Sequence, residues 1–219
     1  FLAVMSHEIR TPLNAIIGLL ELAMRRVDQG GSWDREGIEV AYSSSNALLL
    51  LIGDILDLAK IESGKLSLEP APCRPRDVLI AVIRVLEGVA RQKGLYLQAV
   101  WLQDEPHEVL LDAGRLKQVL SNLISNAIKF TDRGGVRIRF KAAMAAGHMQ
   151  LMIEVVDSGI GISPEGQARL FEPFVQVSSK GAQRGGTGLG LVICRQLVAM
   201  MGGRLSLDSA VGQGTSARV

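Results

Sequence analysis

Apolar residues recur through the first sixty positions at the spacing of a helix seam. Leu2, Ile9, Ile16 and Ala23 form one row and Leu13, Leu20 and Val27 another, which predicts a helix over about 1–28. Asp28-Gln29-Gly30-Gly31-Ser32 reads as a turn. A second helix is expected over about 35–62, with Ile38, Ile52 and Ala59 in one row and Ala41, Leu48 and Ile55 in the other. A short loop makes the pair an antiparallel hairpin. Each helix has more apolar surface than one neighbour covers, so two hairpins are expected to pair as a four-helix bundle, a homodimer. Pro70, Pro72 and Pro75 mark a boundary, giving domains of 1–64 and 65–219. Beyond it, helical patterns at about 76–93, 113–130, 165–170 and 188–201 mix with strand patterns at about 66–69, 95–101, 108–111, 135–143, 149–156, 203–208 and 215–219. Gly147-His148 lies between two alternating runs and reads as a hairpin turn. The fold class expected is α+β: a helical hairpin followed by a two-layer α/β sandwich with mainly antiparallel strands.

Composition narrows the classes. The chain has 219 residues, 47% of them hydrophobic, enough for real cores. Its 24 basic and 22 acidic residues are mixed along the sequence, so no broad basic face is offered to nucleic acid. Cys73 and Cys194 are far apart and lack neighbours at metal-ligand spacing; both read as buried, reduced thiols of a cytosolic protein in preference to a disulfide. No apolar run approaches the ~20 residues of a membrane span, so no membrane contact is expected of this segment. The sequence lacks an initiator methionine, opens mid-helix and stops in a strand pattern, which reads as a piece of a longer protein.

The densest chemistry in the first helix is Ser6-His7-Glu8-Ile9-Arg10-Thr11-Pro12. A neutral imidazole is a competent nucleophile, and an adjacent carboxylate can take the proton it sheds. Thr11 falls one turn after His7 on nearly the same face. Pro12 removes the donor for the Glu8 carbonyl and loosens the helix locally. His7 points about 120° from the middle of the seam, hence outward.

Four blocks in the second domain suit a nucleotide. In Arg115–Thr131, residues Arg115, Asn122, Asn126 and Lys129 share one helical face opposite Leu120, Leu123, Ile124 and Ala127. Two amide oxygens four residues apart suit Mg²⁺, which also takes phosphate oxygens, and Lys129 suits a phosphate. A merely solvated face would be rich in Glu and Lys rather than paired asparagines. Asp157-Ser158-Gly159-Ile160-Gly161 follows a strand; its carboxylate can accept from the exocyclic amine of adenine, and Gly159 and Gly161 let the backbone approach the ring. Gly185-Gly186-Thr187-Gly188-Leu189-Gly190 opens a helix, where backbone N–H groups converge on phosphates. Gly212-Gln213-Gly214-Thr215 supplies a hydroxyl to support Asp157. Phe171 and Phe174 anchor a polar loop whose Lys180 and Arg184 could reach the γ-phosphate on closure. The sequence contains no Walker motif and no dinucleotide fingerprint.

Met5–Pro12, the Asn122/Asn126 block, Asp157–Gly161, Phe171–Phe174 and Gly185–Gly190 resemble the H, N, G1, F and G2 boxes of bacterial sensor histidine kinases. With Lys60–Lys65 closing the second helix, the wording is nearest to hybrid sensors of the virulence-sensor (BvgS/EvgS-like) kind. The resemblance implies a dimerisation and phosphotransfer hairpin followed by a GHKL (Bergerat-type) ATP-binding sandwich. ATP and Mg²⁺ would be used to phosphorylate His7, with Glu8 as base, Asn122 and Asn126 on the metal, and Thr11 orienting water for the reverse reaction. Nucleotide contacts would come from Asn122, Asn126, Lys129, Asp157, Gly159, Gly161, Phe174, Lys180, Arg184, Gly186, Thr187, Gly188, Leu189, Gly190 and Thr215. The phosphoryl group would pass to an aspartate of a receiver domain, in the same chain, in trans or both, with Asn14, Ala15, Gly18 and Leu19 guiding partner choice. The segment would be the cytoplasmic part of an inner-membrane sensor. Alternatives from other classes are a non-catalytic interaction module that keeps the fold, and a GHKL ATPase that drives conformational change.

Overall fold

Helix α1 (Leu2–Asp28) runs through Pro12 without a break. An interior proline costs a helix about 3 kcal/mol, so packing must hold this one together. The computed structural model describes residues 2–30, 32–102, 108–145, 148–175 and 187–219; the side chains of Leu2, Ala3, Val4, His7, Met144, Ala145 and His148 also lie outside that description. The chain divides into two compact units, Phe1–Leu66 and Ser67–Val219.

In the first unit α1 packs on α2 (Arg35–Glu62). Asp34 caps α2 by accepting from the Gly37 N–H at 3.0 Å and meets Arg26 of α1 at 2.7 Å, which ties the two helix ends together. Ala23, Ala41, Leu51, Ile55 and Leu58 are buried between the helices. One apolar row on each helix is left largely uncovered: Leu13 and Leu20 on α1 and Ile38 and Ile52 on α2 are exposed, as are Tyr42 (71%) and Leu49 (67%). Helix α2 stops at Gly64, whose positive φ of 65° turns the chain so that the N–H groups of Lys65 and Leu66 both reach the Lys60 carbonyl.

That stop corrects one expectation. The run 66–69 is not a strand, because Leu66 closes the helix end and is buried there. The strand is β1 (Ala71–Cys73), which pairs antiparallel with β3 (Val109–Leu111) in a two-stranded ribbon. A proline inside it is tolerable because such a ribbon has an unpaired side.

The second unit is built on a five-stranded sheet. It contains β2 (Tyr96–Trp101), β4 (Gly135–Ala145), β5 (His148–Asp157), β6 (Ser206–Ala210) and β7 (Gly214–Arg218), in the order β2-β4-β5-β7-β6. Among the described residues of this sheet, β2 and β4 pair parallel and the other neighbours antiparallel. The β4–β5 hairpin is present with Ala145 opposite His148; the predicted turn residue Gly147 lies outside the described residues. Val136, Ile138, Phe140, Ile153, Val155 and Ala217 are buried on one face, under α3 (Pro75–Gln92), α4 (Ala113–Phe130) and α6 (Gly190–Met200). The short helix α5 (Pro164–Arg169) lies against β6. The other face carries Arg137, Arg139 and Lys141, and Glu154 there pairs with Arg139 and Arg218. This is the two-layer α+β arrangement expected, and α4 is its central helix. Leu116, Val119, Leu120, Leu123, Ile124, Ala127 and Ile128 are all buried, which leaves the asparagine row on the opposite side.

Candidate functional site

Helix α4 positions the amide pair. Its N-terminus is fixed by Asp112, which accepts from the Arg115 N–H and from the Glu69 N–H, both at 3.0 Å. Burial alone would raise the Asp112 carboxyl; the bonds from Glu69 and Arg115 outweigh it and hold the group low. Four residues apart, Asn126 donates its amide N–H to the Asn122 amide oxygen at 2.9 Å. That bond leaves the Asn126 oxygen and the second lone pair of the Asn122 oxygen as hard donors on one side. Lys129, one turn on, lies 5.0 Å over the Phe130 ring, and burial lowers its pKa. A half-buried ammonium is one that an anion would stabilise.

The Asp157 loop is held to the end of α4 and to the β6–β7 hairpin. The Phe130 carbonyl accepts from the Ile160 N–H at 3.2 Å, and a Cβ on Gly159 would sit 2.5 Å from that carbonyl oxygen. Gly161, at φ 67°, passes so close to the Ala210 carbonyl that any side chain would collide with it. The Gly212 N–H donates to the Ile160 carbonyl at 2.8 Å. Asp157 itself uses one oxygen, Oδ1, to accept from the backbone N–H of Gly159 at 2.8 Å and of Thr215 at 3.2 Å. Its other oxygen is left as an acceptor. A recess lies beside it, lined in part by Val156, Ser209 and Gly214. Burial raises the Asp157 carboxyl, and the two N–H groups pull it back only in part.

One expectation fails here. The Thr215 hydroxyl does not support Asp157; it bonds the Ser209 hydroxyl at 2.8 Å, and the backbone N–H of Thr215 takes the supporting role. Ser209 is the nearer partner because it stands opposite Thr215 in the β6–β7 register.

The described part of the glycine-rich block, Thr187–Gly190, meets the other blocks at two points. Gly190, the first residue of α6, lies so close to the Asn122 amide that a Cβ would clash with it. Thr187 accepts from the Leu189 N–H at 3.2 Å, and Leu189 is fully buried. Gly188 accepts from the Phe174 N–H at 3.2 Å, and a Cβ there would be 2.7 Å from the Phe174 carbonyl carbon. Phe174 has a φ of 63°, a costly conformation for an aromatic residue. Phe171 is pinned by Arg195, whose guanidinium lies 4.6 Å over the ring. Lys180, Arg184 and Gly186 lie outside the described residues.

On the separate helical unit, His7, Glu8 and Thr11 all belong to α1. Glu8 is half-buried and Thr11 exposed, while the His7 side chain lies outside the described residues. Among the described residues there is no group of three or more His, Cys, Asp and Glu that could hold a metal ion. No helix among them is long and apolar enough to cross a membrane. Sequence reasoning missed Asp112 and Ser209. Asp112 had a signal, an Asp directly before an amphipathic helix; Ser209 acts through contacts that sequence does not reveal.

A helix of phosphoacceptor type followed by a sandwich whose four nucleotide blocks touch one another defines a kinase core of two parts. Residues 1–64 match the His Kinase A (phospho-acceptor) domain, and residues 111–219 match the histidine kinase-, DNA gyrase B- and HSP90-like ATPase family. The chain belongs to the sensor histidine kinases of two-component signalling. It is 50% identical to the virulence sensor protein BvgS of Bordetella bronchiseptica over 100% of this chain and 18% of that protein. It is 41% identical to the signal transduction histidine-protein kinase BarA of Escherichia coli K12, over 99% of this chain and 24% of that one. Full-length ShkA, solved in complex with AMPPNP, matches with a TM-score of 0.72 and 33% identity, over 99% of this chain and 44% of that one. The chain thus spans less than a quarter of the length of these two curated relatives.

Proposed function

We propose that this chain transfers the γ-phosphoryl group of ATP to His7 and passes it on to an aspartate of a receiver domain. The observation that supports this most is the Asp157 carboxylate. One oxygen is locked by two backbone N–H groups, and the other is left for a donor such as the adenine amine. A guanine carbonyl at the same place would be repelled. The backbone of Thr187–Gly190 and the Lys129 ammonium meet the phosphates. The Asn122 and Asn126 amide oxygens fit Mg²⁺, which supplies charge neutralisation on the phosphate oxygens when bound. His7 Nε2 attacks the γ-phosphorus, the bond to the bridging oxygen breaks, ADP leaves, and the Nδ1 proton passes to Glu8. Adjacent positions on a helix diverge, so Glu8 needs a bent helix or a changed rotamer, and Pro12, which takes the donor from the Glu8 carbonyl, makes such a bend less costly there. Thr11 orients water in the phosphatase direction. Phe174 shapes the base of the nucleotide site; Lys180, Arg184 and Gly186, outside the described residues, are assigned to the phosphates by their sequence block alone.

The uncovered apolar rows of α1 and α2 support a homodimer through the hairpin. The receiver lies in the same protein, in another, or in both, and the parent protein is an inner-membrane sensor with this segment on the cytoplasmic side. The test is the product formed from γ-labelled ATP. A phosphoprotein is expected; free phosphate alone would point to an ATPase that drives conformational change.

A further inference from the structure

Lys93 belongs to none of the blocks above, yet its side chain reaches from the end of α3 to the last turn of α4. The ammonium donates to the carbonyls of Ile128 at 2.8 Å, Lys129 at 3.1 Å and Thr131 at 3.2 Å. The Ala127 carbonyl accepts from the Thr131 hydroxyl at 2.7 Å, and Phe130 accepts from the Ile160 N–H at 3.2 Å. Every carbonyl from Ala127 to Thr131 therefore has a donor. Of the two that Lys93 does not take, the Phe130 carbonyl holds the Asp157 loop.

The last carbonyls of a helix have no intrahelical partners and form the negative end of its dipole. Three of them converging on one ammonium fix the direction in which the fourth points. That turn also carries Lys129. Thr131, just beyond it, is fully buried, so water cannot easily replace a lost donor there.

We propose that Lys93 is a positioning residue for nucleotide binding: it clamps the last turn of α4 so that the Phe130 carbonyl holds the Asp157–Gly161 loop and Lys129 keeps its place. The inference rests on the reading of Asp157 as the adenine acceptor.

The test compares Lys93→Met, which keeps the aliphatic stem but removes the donors, with Lys93→Arg, which keeps a cation, and with Lys141→Met on the outer sheet face as control. Hydrogen exchange at the Ile160 amide is followed without nucleotide, and the Kd for a non-hydrolysable ATP analogue is taken by calorimetry. For Lys93→Met, Ile160 exchange is expected to quicken about tenfold and the Kd to rise about tenfold, while the labelling rate at saturating ATP stays within about twofold. Lys93→Arg recovers most of both, and Lys141→Met changes neither. Unaltered Ile160 exchange, or an unaltered Kd in Lys93→Met alone, overturns the proposal. An unaltered Kd in both Lys93→Met and Asp157→Asn removes the adenine reading itself. If Lys93→Met does not fold, Lys93→Gln decides by the same readings.

Discussion

Burial raises the Asp157 carboxyl above its ordinary value, and the N–H groups of Gly159 and Thr215 offset this only partly. Two consequences follow with opposite signs. The ionised group is disfavoured in the folded chain, so folding stability falls as pH rises from the unfolded pKa through the raised folded one. Nucleotide binding needs the ionised acceptor, so affinity is lost as pH falls through that same raised value, in a window above the usual aspartate range. Asp157→Asn keeps the shape, removes the charge and places a donor or a weaker acceptor against the base. It is expected to weaken ATP about 10- to 100-fold, the worth of one charge-assisted hydrogen bond. It should also leave the sandwich as stable as wild type or more so at neutral pH. Calorimetry and thermal melts on the same variant read both quantities, and weakened binding without lost stability is the expected pair.

At the scale of elements, Glu154 shows how the sheet holds the site together. It is 8% exposed and joins three strands: Arg139 of β4 at 3.1 Å, Arg218 of β7 at 2.8 Å and Ser216 of β7 at 2.9 Å. Burial would raise its carboxyl, but the hydrogen bonds from Arg218, Ser216 and Arg139 outweigh that and hold it low. A carboxyl lowered on folding stabilises above its unfolded pKa, and the contribution is lost as pH falls through the folded value. Glu154→Gln is therefore expected to cost about 1–3 kcal/mol at neutral pH, with the difference vanishing in acid, as denaturant titrations at two pH values would measure. The elements themselves were readable wherever periodicity was long: α1, α2, α3 and α4 come out within a residue or two of their sequence limits. Misreading came where apolar residues serve a helix stop, as at Leu66, or where a strand runs through prolines, as at Pro72. The hydroxyl of Thr215 was misassigned because sequence cannot reveal that Ser209 stands opposite it.

For the whole molecule, composition and motifs made the two-part organisation legible, since each nucleotide block is local in sequence. The connections between blocks were not, because Asn122 with Gly190 and Phe130 with Ile160 meet only through packing. The uncovered rows on α1 and α2 lead to one prediction at this scale. Leu20→Glu or Ile52→Lys is expected to convert the dimer to monomer in light scattering, with ATP affinity of the sandwich unchanged. The account as a whole turns on where the phosphoryl group ends up. Incubated with γ-labelled ATP and Mg²⁺, the wild-type chain is expected to gain phosphate that survives alkali and is released by acid, while His7→Gln gains none. Equal labelling of His7→Gln, or label stable to acid, would contradict it.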